Sequence, residues 1–310
     1  MDDRLVNLDD QELDARQAEA ERFRREDEQA RYLEEQAHCR TAIMRMRLGD
    51  SLLRRGQLRR AIGEYKRAVK LDGNNAHLRT LLADAYVLIE EIPLAMAEYR
   101  KVLRADPRHA DAYASLGDLY HRFAMFGKAL EMYRHAVHHD GGRAYYRHKL
   151  AQCLAHMGSA PEGIEHLRIA TGLAPRDAFY HFRLADLLSR LGRAEEALDE
   201  FRGAVRCAPH DAYYRFRLAG ACMAARRAPD AINVYRRLVE MAPGDRTRWV
   251  LLGDAYSQAG RPDVAEKMWA CFHELDDYQR DFVARRRAEY AARPPGAPAR
   301  SEGLGAAPAP

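Results

Sequence analysis

Nothing in this 310-residue sequence approaches the ~18 consecutive apolar residues that a membrane-spanning helix needs, which predicts no membrane insertion. The first ten residues, MDDRLVNLDD, are acidic and lack the apolar core of a secretory signal, which argues for a cytoplasmic protein. Cysteine is scarce. Cys39, Cys153, Cys207, Cys222 and Cys271 are far apart, odd in number and form no C-x-x-C, so neither a disulfide framework nor a zinc knuckle is indicated, and they read as reduced, mostly buried thiols. Also missing are H-E-x-x-H, G-x-S-x-G and a glycine-rich phosphate loop. Without a catalytic constellation, the chain is expected to be no enzyme and to use no cofactor. Proline is sparse, at 13 residues, while 47% of residues are apolar and 31% charged; that balance points to a folded, largely helical chain. High alanine and arginine usage fits a GC-rich bacterial genome.

What is present is a charge asymmetry and a ruler. Residues 1–40 carry 13 acidic and 7 basic side chains, net −6, which leaves +10 for residues 41–310. From Ala42 onward the chain repeats every 34 residues without insertion or gap, as 42–75, 76–109, 110–143, 144–177, 178–211, 212–245 and 246–279. Position 7 of this frame is always leucine (Leu48, Leu82, Leu116, Leu150, Leu184, Leu218, Leu252), and position 8 is always Gly or Ala. Position 20 is again small, from Ala61 to Ala265, with Gly163 in the fourth unit. Position 24 is bulky: Tyr65, Tyr99, Tyr133, Leu167, Phe201, Tyr235 and Trp269. Two short antiparallel helices per unit, crossing where only Gly or Ala fits, require this pattern, with the bulky residues filling the space beside the crossing. Gly56, Gly158, Gly192 and Gly260 at position 15 supply the turn between the helices, and Pro107, Pro175, Pro209 and Pro243 at position 32 end the second one.

These residues resemble the tetratricopeptide repeat, whose signature has a large residue at position 4, Leu-Gly at 7 and 8, Tyr at 11, Ala at 20, an aromatic at 24 and Pro at 32. The seventh unit carries Trp249, Leu252, Gly253 and Tyr256 on those positions, and the third Tyr113, Leu116, Gly117 and Tyr120. The resemblance covers residues 42–279 and implies an all-α fold, a right-handed superhelical α-solenoid of helix-turn-helix repeats. Units four to six depart from it with Arg147, His181 and Arg215 at position 4, and unit four, with Gly163 and Leu167, is expected to pack more loosely. Around the array, residues 1–41 read as a charged helical arm with i,i+4 pairs such as Glu21–Arg25 and Asp27–Arg31. Residues 280–292 read as a capping helix, and 293–310, rich in Pro, Gly and Ala, as disordered.

In such repeats the first helices line the concave, peptide-binding face. Three stretches, AYYRHKLA, AFYHFRLA and AYYRFRLA, open the first helices of units four to six. Position 6 supplies a line of cations, Lys149, Arg183 and Arg217. Rings flank it at position 2 (Tyr145, Phe179, Tyr213) and position 5 (His148, Phe182, Phe216), one helical face apart by spacing. The position-3 tyrosines, Tyr146, Tyr180 and Tyr214, are expected to pack toward the neighbouring unit. Acid recurs at position 9 but is replaced by Gln152 and Gly220 in units four and six, so Arg183 is expected to pair with Asp186 while Lys149 and Arg217 lack an acid. Cations beside rings suit an extended acidic peptide, a terminal carboxylate or a phosphate. The chain is therefore expected to be a protein-binding adaptor or scaffold that takes an acidic partner segment, with homo-oligomerisation left open. The alternative is single-strand nucleic-acid binding, favoured by the basic body and disfavoured by the position-9 aspartates. His135 and His139, one helical turn apart and close in sequence to His148, are a weak metal motif, and no metal is assigned to them. The acidic arm is a further candidate occupant of the basic groove.

Overall fold

The computed structural model describes residues 21–29 and 41–270, together with Ala284, Arg285 and Ala288. Within that range the chain is all-α. It divides into two compact units, one ending at Gly141 and the other beginning at Gly142. The first holds α1 (21–29), α2 (Ala42–Arg54), α3 (Leu58–Leu71), α4 (Ala76–Leu88), α5 (Ile92–Ala105), α6 (Ala110–Arg122) and α7 (Phe126–His139). The second holds α8 (Ala144–His156), α9 (Ala160–Leu173), α10 (Ala178–Arg190), α11 (Ala194–Cys207), α12 (Ala212–Ala224), α13 (Ala228–Met241), α14 (Arg246–Gln258) and α15 (Pro262–Trp269). From α2 on, each helix pair begins on position 1 of the 34-residue frame, and its second helix begins on position 17. The division falls where the frame has Gly141 in place of the position-32 proline. The expected capping helix and C-terminal tail lie outside the described residues, apart from Ala284, Arg285 and Ala288, which are helical. No helix among the described residues is long and apolar enough to cross a membrane.

Each pair is built on the predicted crossing. The position-7 leucines are all buried, as are the small residues at positions 8 and 20 and the bulky ones at position 24. A Cβ on Gly49 would stand 2.6 Å from the Tyr65 ring, and one on Gly117 would stand 2.7 Å from the Tyr133 ring. The fourth pair is not looser, as its composition predicts, but at least as close: a Cβ on Gly163 would come within 3.0 Å of the Ala151 carbonyl oxygen. The glycine lets the α8 and α9 backbones approach, and Ile164 and Leu167 stay buried.

The position-24 tyrosines also reach a polar partner. Tyr65 donates its hydroxyl hydrogen to Asp50 at 2.7 Å and Tyr133 to Asp118 at 2.6 Å, and Tyr99 does the same to Asp84. Position 4 has a parallel role. Arg45 binds Glu64 at 2.8 Å, Arg79 binds Glu98 at 2.9 Å, and His181 Nδ1 lies 2.7 Å from Glu200. Further bonds reach back to the position-32 carbonyl of the preceding pair, from Arg215 to Pro209 at 2.6 Å and from Trp249 to Pro243 at 2.8 Å. A polar residue at position 4 thus replaces the family's large apolar one without leaving a buried charge unpaired.

In α1 the expected pair Glu21–Arg25 forms at 3.7 Å; Asp27 pairs with Arg55 just past α2, and Arg31, its expected partner, lies outside the described residues. The described part of the arm is therefore tied to the first repeat. Burial holds Cys222 up to about 11, in keeping with an inert thiol.

All seven inter-helix turns place position 15 at positive φ, but only four use glycine; Glu90, Ala124 and Arg226 occupy it at 61°, 56° and 58°. Left-handed backbone costs an L-residue about 1–2 kcal/mol, partly offset by glycine's greater unfolded-state entropy. Ala124→Gly should therefore raise the unfolding free energy by roughly 0.5 kcal/mol, and Gly158→Ala should lower it by about 1 kcal/mol, both read from urea denaturation.

Alkaline stability provides a second test. Burial first, then Asp50 and Asp84, hold the Tyr65 and Tyr99 phenols well above their ordinary value. Above about pH 10 the unfolded chain releases these protons while the folded chain keeps them, so stability present below that pH falls as pH rises. The slope should be about 1.4 kcal/mol per pH unit for each phenol, and shallower in a Tyr65→Phe, Tyr99→Phe double variant. An unaltered slope in urea melts across this range would remove the assignment.

Candidate functional site

The three stretches open α8, α10 and α12 in the second unit. For two of them a capping aspartate sets the first turn. The Asp177 side chain accepts from the Phe179 backbone N–H at 2.9 Å, and Asp211 accepts from that of Tyr213 at 2.8 Å. Each cap thus fixes the backbone that carries a position-2 ring. α8 instead has Arg143 at its N-cap, which makes no capping side-chain bond.

Tyr145, Phe179 and Tyr213 are exposed, at 40%, 41% and 46%. The position-5 rings differ from expectation. His148 and Phe182 are buried, and Phe216 is partly buried against the core of the second unit. The reason is contact between pairs: His148 meets the Phe179 and Tyr180 rings edge-on at 4.9 and 6.2 Å, and Phe182 meets Tyr213 and Tyr214 at 5.3 and 5.7 Å. A position-5 ring thus seats between the position-2 and position-3 rings of the next pair. Tyr146 is buried, and burial followed by nearby aspartates raises the Tyr180 and Tyr214 phenols above their usual range. The position-3 tyrosines pack, while the position-2 rings face out.

The cations are apportioned differently from the sequence expectation. Arg217 is not short of an acid: it donates to Asp186 at 2.7 Å, and Arg190 holds the other carboxylate oxygen at 3.0 Å. Asp186 is available for this because Phe201, at position 24, has no hydroxyl to bind it. Arg183, expected to pair with Asp186, instead donates from Nε to His148 Nε2 at 3.0 Å and has no salt bridge among the described residues. Each cation also lies over a ring: Lys149 over Tyr145 at 5.3 Å, Arg183 over Phe179 at 5.9 Å and Arg217 over Phe182 at 5.3 Å.

Between α8 and α10 these groups line a cleft of about 290 Å³, which includes His148, Gln152, His156, Arg183, Asp186 and Arg190. His156 and Arg190 stand at position 13, which the sequence reading passed over; their spacing of seven from position 6 puts them on the same helical face. The cleft therefore sets Arg183, with Phe179 beside it, next to the paired Arg190 and Asp186.

The histidine pair in the first unit is spent on packing. His135 and His139 stack on Tyr113 at 4.8 and 5.6 Å, and no group of three or more His, Cys, Asp or Glu among the described residues is placed to hold a metal ion.

A family model for the tetratricopeptide repeat matches residues 46–110, 149–212 and 182–246. Among solved structures, the C-terminal part of a TPR repeat-containing protein from Cytophaga hutchinsonii is 16% identical with a TM-score of 0.61, over 76% of this chain and 98% of that one. Pseudomonas aeruginosa pilF is 19% identical with a TM-score of 0.55, over 66% and 93%. YrrB, described as a TPR protein with an unusual peptide-binding site, is 20% identical with a TM-score of 0.50, over 59% and 95%. At these identities the likeness is one of fold. A search of curated protein sequences gives no match.

Arg143→Asp should supply the missing cap of α8 and favour its N-terminal dipole. The expected gain is about 1 kcal/mol in unfolding free energy, checked by urea denaturation.

Proposed function

Since the chain belongs to the tetratricopeptide repeat family, we propose that it is a non-enzymatic adaptor that binds an extended, acidic segment of a partner protein along α8, α10 and α12. The observation that carries this reading is the alignment of exposed Tyr145, Phe179 and Tyr213 beside Arg183, a cation in a cleft with no carboxylate of its own. Rings supply apolar contact for an extended backbone, and a guanidinium fork suits an acidic side chain. A single nucleic-acid strand is the alternative reading, since rings beside cations also suit stacked bases and phosphates. YrrB, with its peptide-binding site, is a fold-level parallel for such use.

Retention of partners from nuclease-treated native extract tests the reading, comparing the intact protein with a Phe179→Ala, Arg183→Glu double variant that shows matching circular-dichroism melts. The intact protein should retain at least one protein that the variant loses. Identical retention by both would sink the reading, and a loss restricted to nucleic acid in untreated extract would replace it with the nucleic-acid alternative.

A further inference from the structure

The position-6 arginines of α10 and α12 sit in equivalent frame positions and meet different fates. Arg217 reaches the preceding helix and finds Phe182 at position 5 and Asp186 at position 9; it stacks on the first and pairs with the second. Arg183 reaches its own preceding helix and finds His148 and Gln152 at those positions. Two residues of α8 therefore separate an arginine neutralised by a carboxylate from one that is held and left cationic.

We infer that His148 is a positioning residue that makes Arg183 a preset receptor for one oxyanion of the partner, a carboxylate or a phosphate. This rests on the adaptor reading above and narrows it to a single anchor. The Arg183 Nε–H is donated to His148 Nε2 at 3.0 Å, which requires a neutral imidazole with its proton on Nδ1. With Nε engaged and the guanidinium plane over Phe179, the two Nη groups remain for a bidentate contact. His148 is itself held, 6% exposed and flanked edge-on by Phe179 and Tyr180. Ordering of the arginine is thus achieved in folding, not on binding, which is how preorganisation raises affinity. The carboxylate that shares the cleft, Asp186, has both oxygens engaged by Arg217 and Arg190, so it does not compete for Arg183. Phenylalanine at position 5 of α10 and α12 has no acceptor, so neither helix can hold an arginine in this way.

The frame itself supplies conservative variants. His148→Phe installs the residue type of Phe182 and Phe216, and Arg183→Lys that of Lys149. His148→Gln keeps an acceptor. The probes are a labelled hexaglutamate peptide and, separately, inorganic phosphate, read by binding titration and by the Arg183 side-chain Nε–H resonance, assigned by its absence in Arg183→Lys. In the intact protein this N–H should be protected from solvent exchange and should move with at least one probe. His148→Phe should lose the protection and weaken binding about tenfold, as should Arg183→Lys, while His148→Gln stays near the starting affinity. Response to the peptide alone identifies a carboxylate receptor, and response to both identifies a general oxyanion receptor; either supports the inference. If His148→Phe binds as tightly as the intact protein while Arg183→Lys is weakened, the positioning role falls and the groove reading stands. If neither probe moves the Arg183 resonance, the receptor itself is overturned, whatever partner capture gives.

Discussion

Everything in this chain depends on how close two helix backbones come at one crossing. Each pair keeps Gly or Ala at positions 8 and 20 because a bulky residue at position 24 lies against the first helix, with no room for more than a methyl group. That contact sets the rotation of the first helix about its axis. Rotation in turn decides which positions look inward to the partner helix and which look out. The line of position-2 rings exists because the leucine at position 7 and the small residue at position 8 are committed to the core.

The buried leucines and the crossing residues were legible in the sequence because a 34-residue period without a gap repeats one packing solution, and every copy confirms the others. The pairing of charges was not. Arg183 and Asp186 are three apart on one helix, and local spacing favours them as partners, yet arginine is long enough to reach the neighbouring helix, where contacts between pairs decide. The burial of His148 and Phe182 was hidden for the same reason. Helical spacing puts position 5 on the outer face, and only the neighbour's rings cover it. Gly163 misled in the opposite direction, since a lost methyl reads as lost volume while the backbones close the gap.

The outer face of α8, α10 and α12 is best described as a competition for few carboxylates among many cations. Asp177 and Asp211 are engaged by backbone N–H groups at helix starts, and Asp186 is shared by two arginines. Glu200 lies against His181 within the fifth pair. Arg183, by contrast, has no salt bridge among the described residues and stands beside exposed rings.

The bond between the position-24 tyrosine and the position-9 aspartate gives the core a hold over the surface. In the first three pairs a phenol oxygen keeps the aspartate occupied; in the fifth, Phe201 lacks that oxygen and the aspartate turns to its neighbours. In the fifth pair the absence of one buried oxygen atom thus goes with a carboxylate turned from its own pair to neighbouring arginines. A repeat array can in this way diversify its recognition during evolution by interchanging phenylalanine and tyrosine in its core. Such drift would leave the fold untouched and the surface residues unchanged in identity, yet still rewrite what the surface attracts.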